Sequence, residues 1–382
     1  MHIAIDGRVI APRFPGIGRA TYQLALALAD ARSHDRLTLV VTPGQDGGRH
    51  DLPLLERRPN ISLLPVAAPV GSCAAHWRLP AALGALRPDV WHATYWLTTP
   101  AGQAPMVLSV YDLIGLRVPG SLPRGRSTVL RLVLRVAVRR ARLIVTLSEW
   151  SRRDLVRAFG LAPERVVVTP LAADERFRPR AAAEHDTLRQ RLGLPQRYVL
   201  YVGINKPHKN LTMLVEAWID LNRQWPEAVA ANGDRVELVL AGPWDGRYPQ
   251  ARDLAAAHRD VPIRFLGPVA EADLPALYSA ALVFAYPSRH EGFGLPPLEA
   301  MACGTAVMAA DATSLPEVVG TAGLLLPPDD RAAWSRGLAY LLRDDAERAR
   351  IAAAGVVRAR AFTWAETAAR TRQAYARAAA RR

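Results

Sequence analysis

Lysine and cysteine are the scarcest residues in this sequence of 382 residues. Of its 49 cationic side chains only Lys206 and Lys209 are lysines, and the rest are arginines. Cys73 and Cys303 lie far apart and show no metal-ligand spacing, which argues against a disulfide framework and against a zinc site. So few cysteines suit a reducing compartment, and the expected localisation is cytoplasmic. The two lysines stand out in a chain that otherwise uses arginine.

Long apolar runs and a leader segment are also missing. The stretch 280–286 is among the longest apolar runs, far short of the ~20 residues that span a bilayer. The start, MHIAIDGRVIA, has no charged leader before an apolar stretch and predicts a first strand rather than a signal peptide. Half the residues are apolar, so wholesale disorder is excluded and the length indicates two domains.

Acidic residues are nearly absent from the two segments that together account for the net charge of +14. Residues 113–148 hold eight arginines and no acid, and residues 356–382 hold seven arginines and Glu366. The rest of the chain is balanced. No helix-turn-helix, zinc-finger or RNA-recognition signature accompanies the charge, so we expect no nucleic-acid partner. An arginine-rich nucleic-acid-binding protein is kept as an alternative.

Short β-rich runs alternate with helical stretches, which predicts parallel sheets built from βαβ units. Proline-rich residues 170–195 interrupt this alternation, and a new first strand follows. We therefore predict an α/β protein with two doubly wound domains that face each other across a cleft: an N-terminal domain over 1–175 and a C-terminal domain over 196–358. The strands are expected at these runs: HIAID, RLTLVV, ISLLPV, VWHAT, MVLSVYD, RLIVTLS, RVVVTP, YVLYVG, VELVLAG, IRFLG, LVFAYPS, TAVMAA and GLLLPP.

Two arginine-rich segments have helical spacing. Thr363 and Glu366 have the spacing of a capping box and predict a C-terminal helix from Trp364. The other helix has a spaced apolar face with arginines alongside, which suits an anionic membrane surface; an ordinary domain helix with solvated arginines is an equal alternative. That face comprises Leu130, Leu134, Ala137, Val138 and Ala141.

The strongest motif is EGFGLPPLEAMACGTAV, residues 291–307, directly after a predicted strand. Its Gly292–Gly294 loop can expose backbone amides, and Pro296 and Pro297 suit the first turn of a helix. A helix N-terminus of this kind is suited to a diphosphate. Glu291 in the loop and Glu299 inside the helix could then contact different parts of one extended ligand.

Two further glycine-containing turns follow predicted strands. YVGINKPHKN, residues 201–210, contains Gly203 and both lysines, and a lysine can neutralise a departing diphosphate. RFPGIGR, near the N-terminus, contains Gly16 and Gly18, which would let a ligand approach the backbone before a helix begins. We predict that Gly203, Lys206, Gly16 and Gly18 contact the ligand that carries the diphosphate.

These segments resemble the retaining glycosyltransferases of the GT-B fold, which use nucleotide-diphospho-sugars and carry an E-x7-E motif. The bacterial mannosyltransferase-like enzymes of surface-polysaccharide assembly are the branch that the sequence resembles most. The resemblance extends over nearly the whole chain through GIGRATYQLALAL, PDVWHATYW, SVYDLIG, VTLSEWSRRDL, YVGINKPHKN, LVLAGP, FLGPVAEADLPALYSAA, EGFGLPPLEAMACGTAV and SLPEVVG.

The resemblance implies that the N-terminal domain over 1–175 binds the acceptor and that the C-terminal domain over 196–358 binds the nucleotide-sugar donor, the ligand that carries the diphosphate. The segment 359–382 would pack back on the N-terminal domain. The resemblance also implies roles for individual residues. Glu291 would contact the donor sugar, Lys209 would neutralise the leaving diphosphate, and amides around Phe293, Gly294 and Leu295 would meet sugar and diphosphate. Glu299 would bind the ribose hydroxyls, and the base would lie near Leu266. Similar enzymes need neither a metal nor a cofactor, and no Asp-x-Asp metal motif is present.

The sequence departs from the family pattern at two places. Tyr111, before Asp112, stands where the family often has a histidine near the reacting sugar, and tyrosine is a poor base at neutral pH. Asp112 would contact a substrate or cap a helix. His208 replaces an expected arginine while Lys206 adds a cation, so phosphate binding is expected to survive with an altered pH dependence.

Several other polar residues have alternative interpretations. His92 would face the cleft or be a structural histidine, and His290 would line the cleft wall. Cys303 is predicted to be a buried small hydrophobe. Ser314 and Glu317 have capping-box spacing.

The overall prediction is a metal-independent, retaining transferase that moves a hexose, with mannose from GDP-mannose as the best guess. Its partners would be the nucleotide-sugar donor, a saccharide or polyprenyl-linked saccharide acceptor, and an anionic membrane surface on the inner face of the cytoplasmic membrane. A sugar-nucleotide epimerase of the same architecture is the enzymatic alternative, which the intact E-x7-E motif disfavours.

Overall fold

A computed structural model of the protein describes residues 1–31, 34–98, 104–121, 125–230 and 235–380. The chain forms two compact units. Unit 1 comprises Met1–Leu171 and Thr363–Arg382, and unit 2 comprises Ala172–Phe362. Each unit contains one parallel sheet flanked by helices, as the alternation of strands and helices predicts.

Within its described residues unit 1 has a seven-stranded sheet in the order β3-β2-β1-β4-β5-β6-β7. Its strands are β1 (His2–Asp6), β2 (Arg36–Val41), β3 (Ile61–Pro65), β4 (Val90–Ala93), β5 (Met106–Ser109), β6 (Leu143–Thr146) and β7 (Val166–Val168). Its helices before residue 171 are α1 (Pro15–Asp30), α2 (Leu52–Glu56), α3 (Ala75–Leu86), α4 (Ile114–Arg117), α5 (Arg126–Arg140) and α6 (Glu149–Phe159).

Unit 2 has a six-stranded sheet in the order β10-β9-β8-β11-β12-β13 among its described residues. Its strands are β8 (Tyr198–Val202), β9 (Glu237–Ala241), β10 (Ile263–Gly267), β11 (Val283–Tyr286), β12 (Ala306–Ala310) and β13 (Leu324–Leu326). Its helices are α7 (Ala182–Leu192), α8 (Leu211–Gln224), α9 (Pro226–Val229), α10 (Gln250–Ala257), α11 (Leu274–Ser279), α12 (Leu295–Ala302), α13 (Leu315–Val319), α14 (Arg331–Arg343) and α15 (Asp345–Ala359). The last helix, α16 (Trp364–Ala379), belongs to unit 1.

The unit 1 sheet is covered on both faces, which explains why its central strands are continuous apolar runs. Ile3 and Ile5 of β1 pack in one buried cluster with α1 and α16. Ala4, between them, faces a second cluster that includes residues of α3, α5 and α6. The alternation along one strand therefore supplies both cores of the doubly wound unit.

Helix α16 begins where the capping box predicts it. The Thr363 hydroxyl accepts a hydrogen bond from the Glu366 amide at 3.1 Å, and the helix starts at Trp364. Tyr375, fully buried, is hydrogen-bonded to His92 Nδ1 at 2.6 Å. His92 in turn lies 2.8 Å from the Ser109 hydroxyl through Nε2. This buried chain of hydrogen bonds fixes α16 on the unit 1 sheet.

The apolar face of α5, for which the sequence leaves a membrane surface and an ordinary domain helix as equal alternatives, is a core face. Leu134, Ala137 and Val138 are buried, and Leu130 packs against the same cluster. The opposite side of the helix also carries apolar side chains at helical intervals. Packing against the sheet determines which of the two sides is buried. Among the described residues, no helix is both long and apolar enough to cross a membrane.

Residues 170–195, which the sequence indicates as a connecting segment, contain a helix. Helix α7 lies inside this segment and packs against α11. The Arg180 amide just before it donates to the Ser279 hydroxyl at 2.9 Å. The prolines predict an irregular segment. The tertiary contacts show instead that part of it is a helix packed within unit 2.

Each sheet has one point at which the strand order reverses. In unit 1 this point lies between β1 and β4, and in unit 2 it lies between β8 and β11. In open parallel sheets the loops after the two flanking strands diverge and leave a crevice at their carboxyl ends, where ligands bind. Topology therefore assigns one candidate crevice to each unit.

Candidate functional site

The crevice of unit 2 receives the two strongest motifs of the sequence. The loop after β8 contains Gly203, Lys206 and Lys209, and the loop after β11 contains Glu291. Lys209 and Glu291 are 82 residues apart in the chain, but their loops are neighbours because β8 pairs with β11. The reversal of strand order brings the two motifs together.

Lys209, Glu291 and Tyr286 form one hydrogen-bonded cluster. The Lys209 ammonium donates to Glu291 Oε1 at 2.6 Å and to the Tyr286 hydroxyl at 2.8 Å. The Tyr286 hydroxyl donates to the same carboxylate oxygen at 2.8 Å. The exposed fractions of the Lys209 and Glu291 side chains are 15% and 10%. The cluster is thus a nearly buried ion pair at the edge of the crevice.

Ionisation of Glu291 is decided by competing effects. Burial alone favours the neutral carboxyl, but the Lys209 ammonium and the hydrogen bonds from Lys209 and Tyr286 hold the pKa of Glu291 below its usual value. Burial, reinforced by the Glu291 charge, raises the pKa of Tyr286 well above its usual value. Glu291 is therefore a carboxylate at neutral pH, and Tyr286 is a neutral donor.

Two side chains before α13 hold the Glu291 loop in place. The Thr313 hydroxyl accepts from the Glu291 amide at 3.0 Å. The Ser314 hydroxyl lies 3.0 Å from the Glu291 carbonyl and 2.7 Å from the Phe293 carbonyl. Ser314 is the N-cap residue of α13, as its spacing predicts, but its hydroxyl makes no capping hydrogen bond and donates to the neighbouring loop instead.

Gly294 and Leu295 form the entry to α12. Gly294 has φ of +120°, and a Cβ there would lie 2.7 Å from Leu315 Cδ2, so a larger residue would displace the loop. Prolines at the second and third helical positions carry no amide hydrogen. The amides near the helix start are accordingly those of Phe293, Gly294 and Leu295. Phe293 itself is buried and packs edge-on against Phe362.

Glu299 lies inside α12 and is 3% exposed. The Tyr278 hydroxyl donates to Glu299 Oε2 at 3.2 Å. A buried carboxylate with a tyrosine donor is held in one orientation. Sequence reasoning identified both glutamates but missed their tyrosine partners, Tyr278 and Tyr286, which read as ordinary core aromatics.

Lys206 is not part of the Lys209 cluster. It is exposed and lines a cavity of about 430 Å³ together with Asn210, Tyr248 and Arg289. His208, by contrast, is buried, and burial beside Lys209 lowers its pKa to about 4. The expected arginine is therefore replaced by a neutral side chain, and Lys209 alone carries the positive charge at the cluster.

The two remaining predicted donor residues of unit 2 lie at strand ends. The Gly203 amide donates to the Ala241 carbonyl at 2.9 Å. Leu266 lies in β10, where the pairing register with β9 shifts between Phe265 and Gly267. Leu266 therefore has no residue paired with it in the register between these two strands.

In unit 1 the predicted residues follow two strands: Gly16 and Gly18 come after β1, and Tyr111 and Asp112 come after β5. The expectation that Gly16 and Gly18 precede a helix is wrong, since both lie in the first turn of α1. A Cβ on Gly18 would lie 2.6 Å from the Val9 carbonyl, so close backbone packing explains this glycine. Burial raises the pKa of Tyr111 to about 12. Asp112 accepts from the Ile114 amide at 2.9 Å, which is the helix-capping alternative.

Three further candidate residues are buried in the structure. His92 is fully buried, and burial lowers its pKa to about 3, which favours the structural alternative. Cys303 is buried, and burial raises the pKa of its thiol. His290 is buried beside Glu291. No group of three or more His, Cys, Asp or Glu side chains in the described ranges is placed to hold a metal ion.

Two family models match the chain. The model described as "Glycosyltransferase Family 4" matches residues 15–177, and the model described as "Glycosyl transferases group 1" matches residues 184–357. Among the described strands, the match over residues 15–177 contains strands of unit 1 only, and the match over residues 184–357 contains strands of unit 2 only.

Curated relatives match over most of their length. The chain is 36% identical over 272 residues to the O-antigen chain mannosyltransferase B of Escherichia coli, covering 70% of this chain and 69% of that protein. It is 34% identical over 317 residues to a D-inositol 3-phosphate glycosyltransferase of Xylanimonas cellulosilytica, covering 77% and 73%.

Solved structures match over nearly the full chain. Sucrose-phosphate synthase from Thermosynechococcus elongatus aligns with a TM-score of 0.75 at 21% identity, covering 99% of this chain and 98% of that chain. Anabaena HepE in complex with UDP-glucose aligns with a TM-score of 0.70 at 20% identity, covering 99% and 100%. These structural matches show a common fold.

Proposed function

The chain belongs to the GT-B glycosyltransferases, in their mannosyltransferase-like branch, and from this premise we propose its reaction. It moves a hexose, mannose from GDP-mannose in our preferred assignment, to a saccharide or lipid-linked saccharide during assembly of a surface polysaccharide. The anomeric configuration is retained, and neither a metal nor a cofactor takes part.

The observation that carries this proposal is the Lys209–Glu291–Tyr286 cluster at the crevice of unit 2. A nucleotide-sugar brings a diphosphate with two negative charges and a sugar with several hydroxyls. Lys209 supplies a compact cation for the diphosphate, and the carboxylate of Glu291 accepts hydrogen bonds from sugar hydroxyls. The short distance between Lys209 and Glu291, 2.6 Å, places these two functions side by side.

The proposed reaction needs charge stabilisation more than a protein base. The bond between the anomeric carbon and the diphosphate oxygen breaks, and the acceptor oxygen bonds to that carbon on the same face. The acceptor proton passes to the departing phosphate oxygen. Lys209 and the amides of Phe293, Gly294 and Leu295 stabilise the negative charge that develops on the diphosphate. Glu299 holds the ribose hydroxyls, and the backbone at Leu266 contacts the base.

Tyr111 fits this scheme as a hydrogen-bonding residue. With a pKa of about 12 its hydroxyl stays protonated at neutral pH and does not accept a proton from the acceptor. The raised pKa therefore supports proton transfer to the phosphate rather than to the residue that replaces the family histidine.

The choice of mannose follows from relatives rather than from geometry. Two of the E. coli relatives are named mannosyltransferases, whereas Anabaena HepE is described with UDP-glucose. Donor choice is accordingly the first quantity to measure. We expect GDP-mannose to release nucleotide faster than UDP-glucose, UDP-galactose and GDP-fucose when mannobiose is the acceptor. Equal or greater release from another donor would overturn the mannose assignment.

The same assay tests the site. We expect Glu291→Ala and Lys209→Ala to abolish transfer under conditions in which each variant, although less stable than wild type, is still folded, as checked by circular dichroism at the assay temperature. Near-wild-type transfer by either variant would contradict the proposed roles. Interconversion of one nucleotide-sugar into another without an acceptor would favour an epimerase, and salt-sensitive binding of generic DNA without nucleotide-sugar binding would favour a nucleic-acid-binding protein.

We also propose that α5 contacts an anionic membrane surface on the cytoplasmic side through its outer face. Val129, Leu132 and Val136 are 61%, 64% and 45% exposed, and they lie on one side of the helix, opposite the core face. Arg135 and Arg139 flank this stripe, and residues 113–148 contain no acid. Exposed aliphatic side chains between arginines match the chemistry of a bilayer interface.

Vesicle flotation tests this contact. We expect binding to vesicles that contain phosphatidylglycerol and much weaker binding to phosphatidylcholine alone. The double variant Leu132→Ser/Val136→Ser and charge reversal at Arg131, Arg135 and Arg139 should each reduce flotation. Trp77→Ser, which removes another exposed apolar side chain (60% exposed) of unit 1, is the matched control. Unchanged partitioning of the α5 variants would contradict the proposal.

A further inference from the structure

The crevice of unit 1 is bordered by aromatic side chains that the proposed chemistry leaves without a role. It lies between β1 and β4, where the strand order reverses. Phe14 ends the connection from β1 to α1, and Tyr95 and Trp96 follow β4 by two and three residues. Loops from both flanking strands therefore contribute a ring to the same sheet edge.

These three side chains form a contiguous aromatic cluster. The Phe14 and Tyr95 ring centroids are 5.4 Å apart at an interplanar angle of 57°, and those of Tyr95 and Trp96 are 4.9 Å apart at 46°. Each residue is partly buried. Trp96 also packs against the buried core of unit 1. The cluster is thus anchored on its inner side and accessible on its outer side.

Charged groups lie at its rim. The Arg13 guanidinium lies over the Phe14 ring at 5.6 Å from the centroid. Arg13 and Asp112 both act electrostatically on the Tyr95 hydroxyl, whose pKa is raised chiefly by burial. The Tyr95 hydroxyl is therefore a neutral hydrogen-bonding group within the electrostatic influence of Arg13 and Asp112.

We propose that the aromatic cluster of Phe14, Tyr95 and Trp96 is the binding platform for the saccharide part of the acceptor. One face of a pyranose carries C–H groups and packs flat on an aromatic ring, while its hydroxyls point outward to polar groups. The cluster offers the rings, and Tyr95, Arg13 and Asp112 offer hydrogen-bonding groups. The inference rests on the proposed glycosyltransferase function and narrows the acceptor to one recognised through its sugar.

The composition of this edge favours a sugar over an isoprenoid chain. A polyprenyl tail has no hydrogen-bonding groups, so it would remove the Tyr95 hydroxyl and the Arg13 guanidinium from water without replacing their hydrogen bonds to water, at a free-energy cost. A saccharide satisfies polar groups and covers apolar rings at the same time, which is the usual composition of a small-ligand site. If the natural acceptor is lipid-linked, its lipid lies away from this cluster.

Titration with α-linked mannotriose, followed by calorimetry, tests the platform without requiring turnover. We expect binding in the millimolar range by the wild-type protein. Loss of one ring in Tyr95→Ala or Trp96→Leu should weaken it about tenfold. Tyr95→Phe keeps the ring and should lose far less than Tyr95→Ala. Trp77→Ala, an exposed tryptophan on α3 outside the cluster, is the matched control and should bind like wild type.

Affinity for GDP, measured on the same variants, separates the two proposals. We expect GDP binding to be unchanged in all of them, because no GDP-binding residue is altered. No mannotriose binding by wild type, equal binding by the ring-deletion variants, or an equal loss in Trp77→Ala would overturn the platform. So would binding of farnesyl phosphate at this cluster in place of mannotriose. Failure of the proposed function appears differently, as an absence of nucleotide release from every donor while mannotriose still binds.

Discussion

Replacing Lys209 with methionine isolates the electrostatic role of the cluster. Methionine keeps a long flexible side chain and removes the charge. Glu291, which is buried, then loses its ammonium partner and keeps only neutral hydroxyl donors, those of Tyr286 and Ser288. Breaking a buried ion pair by removing one partner costs about 3–5 kcal/mol. The variant is therefore expected to be strongly destabilised at neutral pH.

The pH dependence of that loss is the sharper prediction. In the wild-type protein the pKa of Glu291 is held below its usual value, so the pair stabilises the fold above the unfolded-state pKa and fades as pH falls through the folded-state pKa. Without Lys209, burial dominates and raises the pKa of Glu291. Protonation on acidification then relieves the buried charge by up to about 1.4 kcal/mol per pH unit. The gap between wild type and variant should narrow from about pH 8 to about pH 5.

Urea denaturation at both pH values, followed by tryptophan fluorescence, measures the gap. Trp218 and Trp334 are fully buried in unit 2 and report on its unfolding. Lys206→Met, the substitution of the exposed lysine, is the control for removal of a lysine charge and should change stability by less than about 0.5 kcal/mol. A Lys209→Met penalty that is equal at both pH values, or no larger than the control, would refute the reasoning.

Three other substitutions have defined outcomes. Ser314→Ala should lower the free energy of unfolding by about 1–3 kcal/mol, because a buried carbonyl of the 291–293 loop loses its hydrogen-bond donor. The same substitution should reduce the affinity for the nucleotide-sugar, and unchanged affinity for GDP would contradict the role of Ser314 in holding this loop. Tyr111→Phe should leave the shape of the pH–rate profile unchanged up to about pH 10, and a lost basic limb would show that the hydroxyl titrates. Tyr375→Phe should destabilise unit 1 by about 1–3 kcal/mol through the unpaired His92 nitrogen, detected as faster amide exchange in α16; unchanged exchange would contradict the anchoring role.

The positions of the strands could be read from the sequence because their signal is local. β-branched and apolar runs bounded by glycine and proline predict strands, and all thirteen predicted runs contain strands of the structure. The start of α16 was predictable for the same reason, since a capping box is a pattern of neighbours. The family is confirmed by the matches to its models and relatives.

Long-range partners could not be predicted in this way. Ser314 has the spacing of a cap, and only the fold shows that its hydroxyl meets a loop more than 20 residues earlier. Helix α5 carries two apolar stripes at helical spacing, and only packing against the sheet reveals which one is buried. The tyrosines beside Glu291 and Glu299 carry no sequence signal, because an aromatic at a strand end or in a helix usually belongs to the core.

The central claim is that the Lys209–Glu291 pair serves transfer of a sugar from a nucleotide with retention. NMR of the reaction of ¹³C-labelled GDP-α-mannose with mannobiose tests it most directly. We predict a new α-anomeric signal that grows together with GDP in the wild-type protein and is absent in Glu291→Gln. A β-anomeric product, or wild-type transfer by Glu291→Gln, would contradict the account.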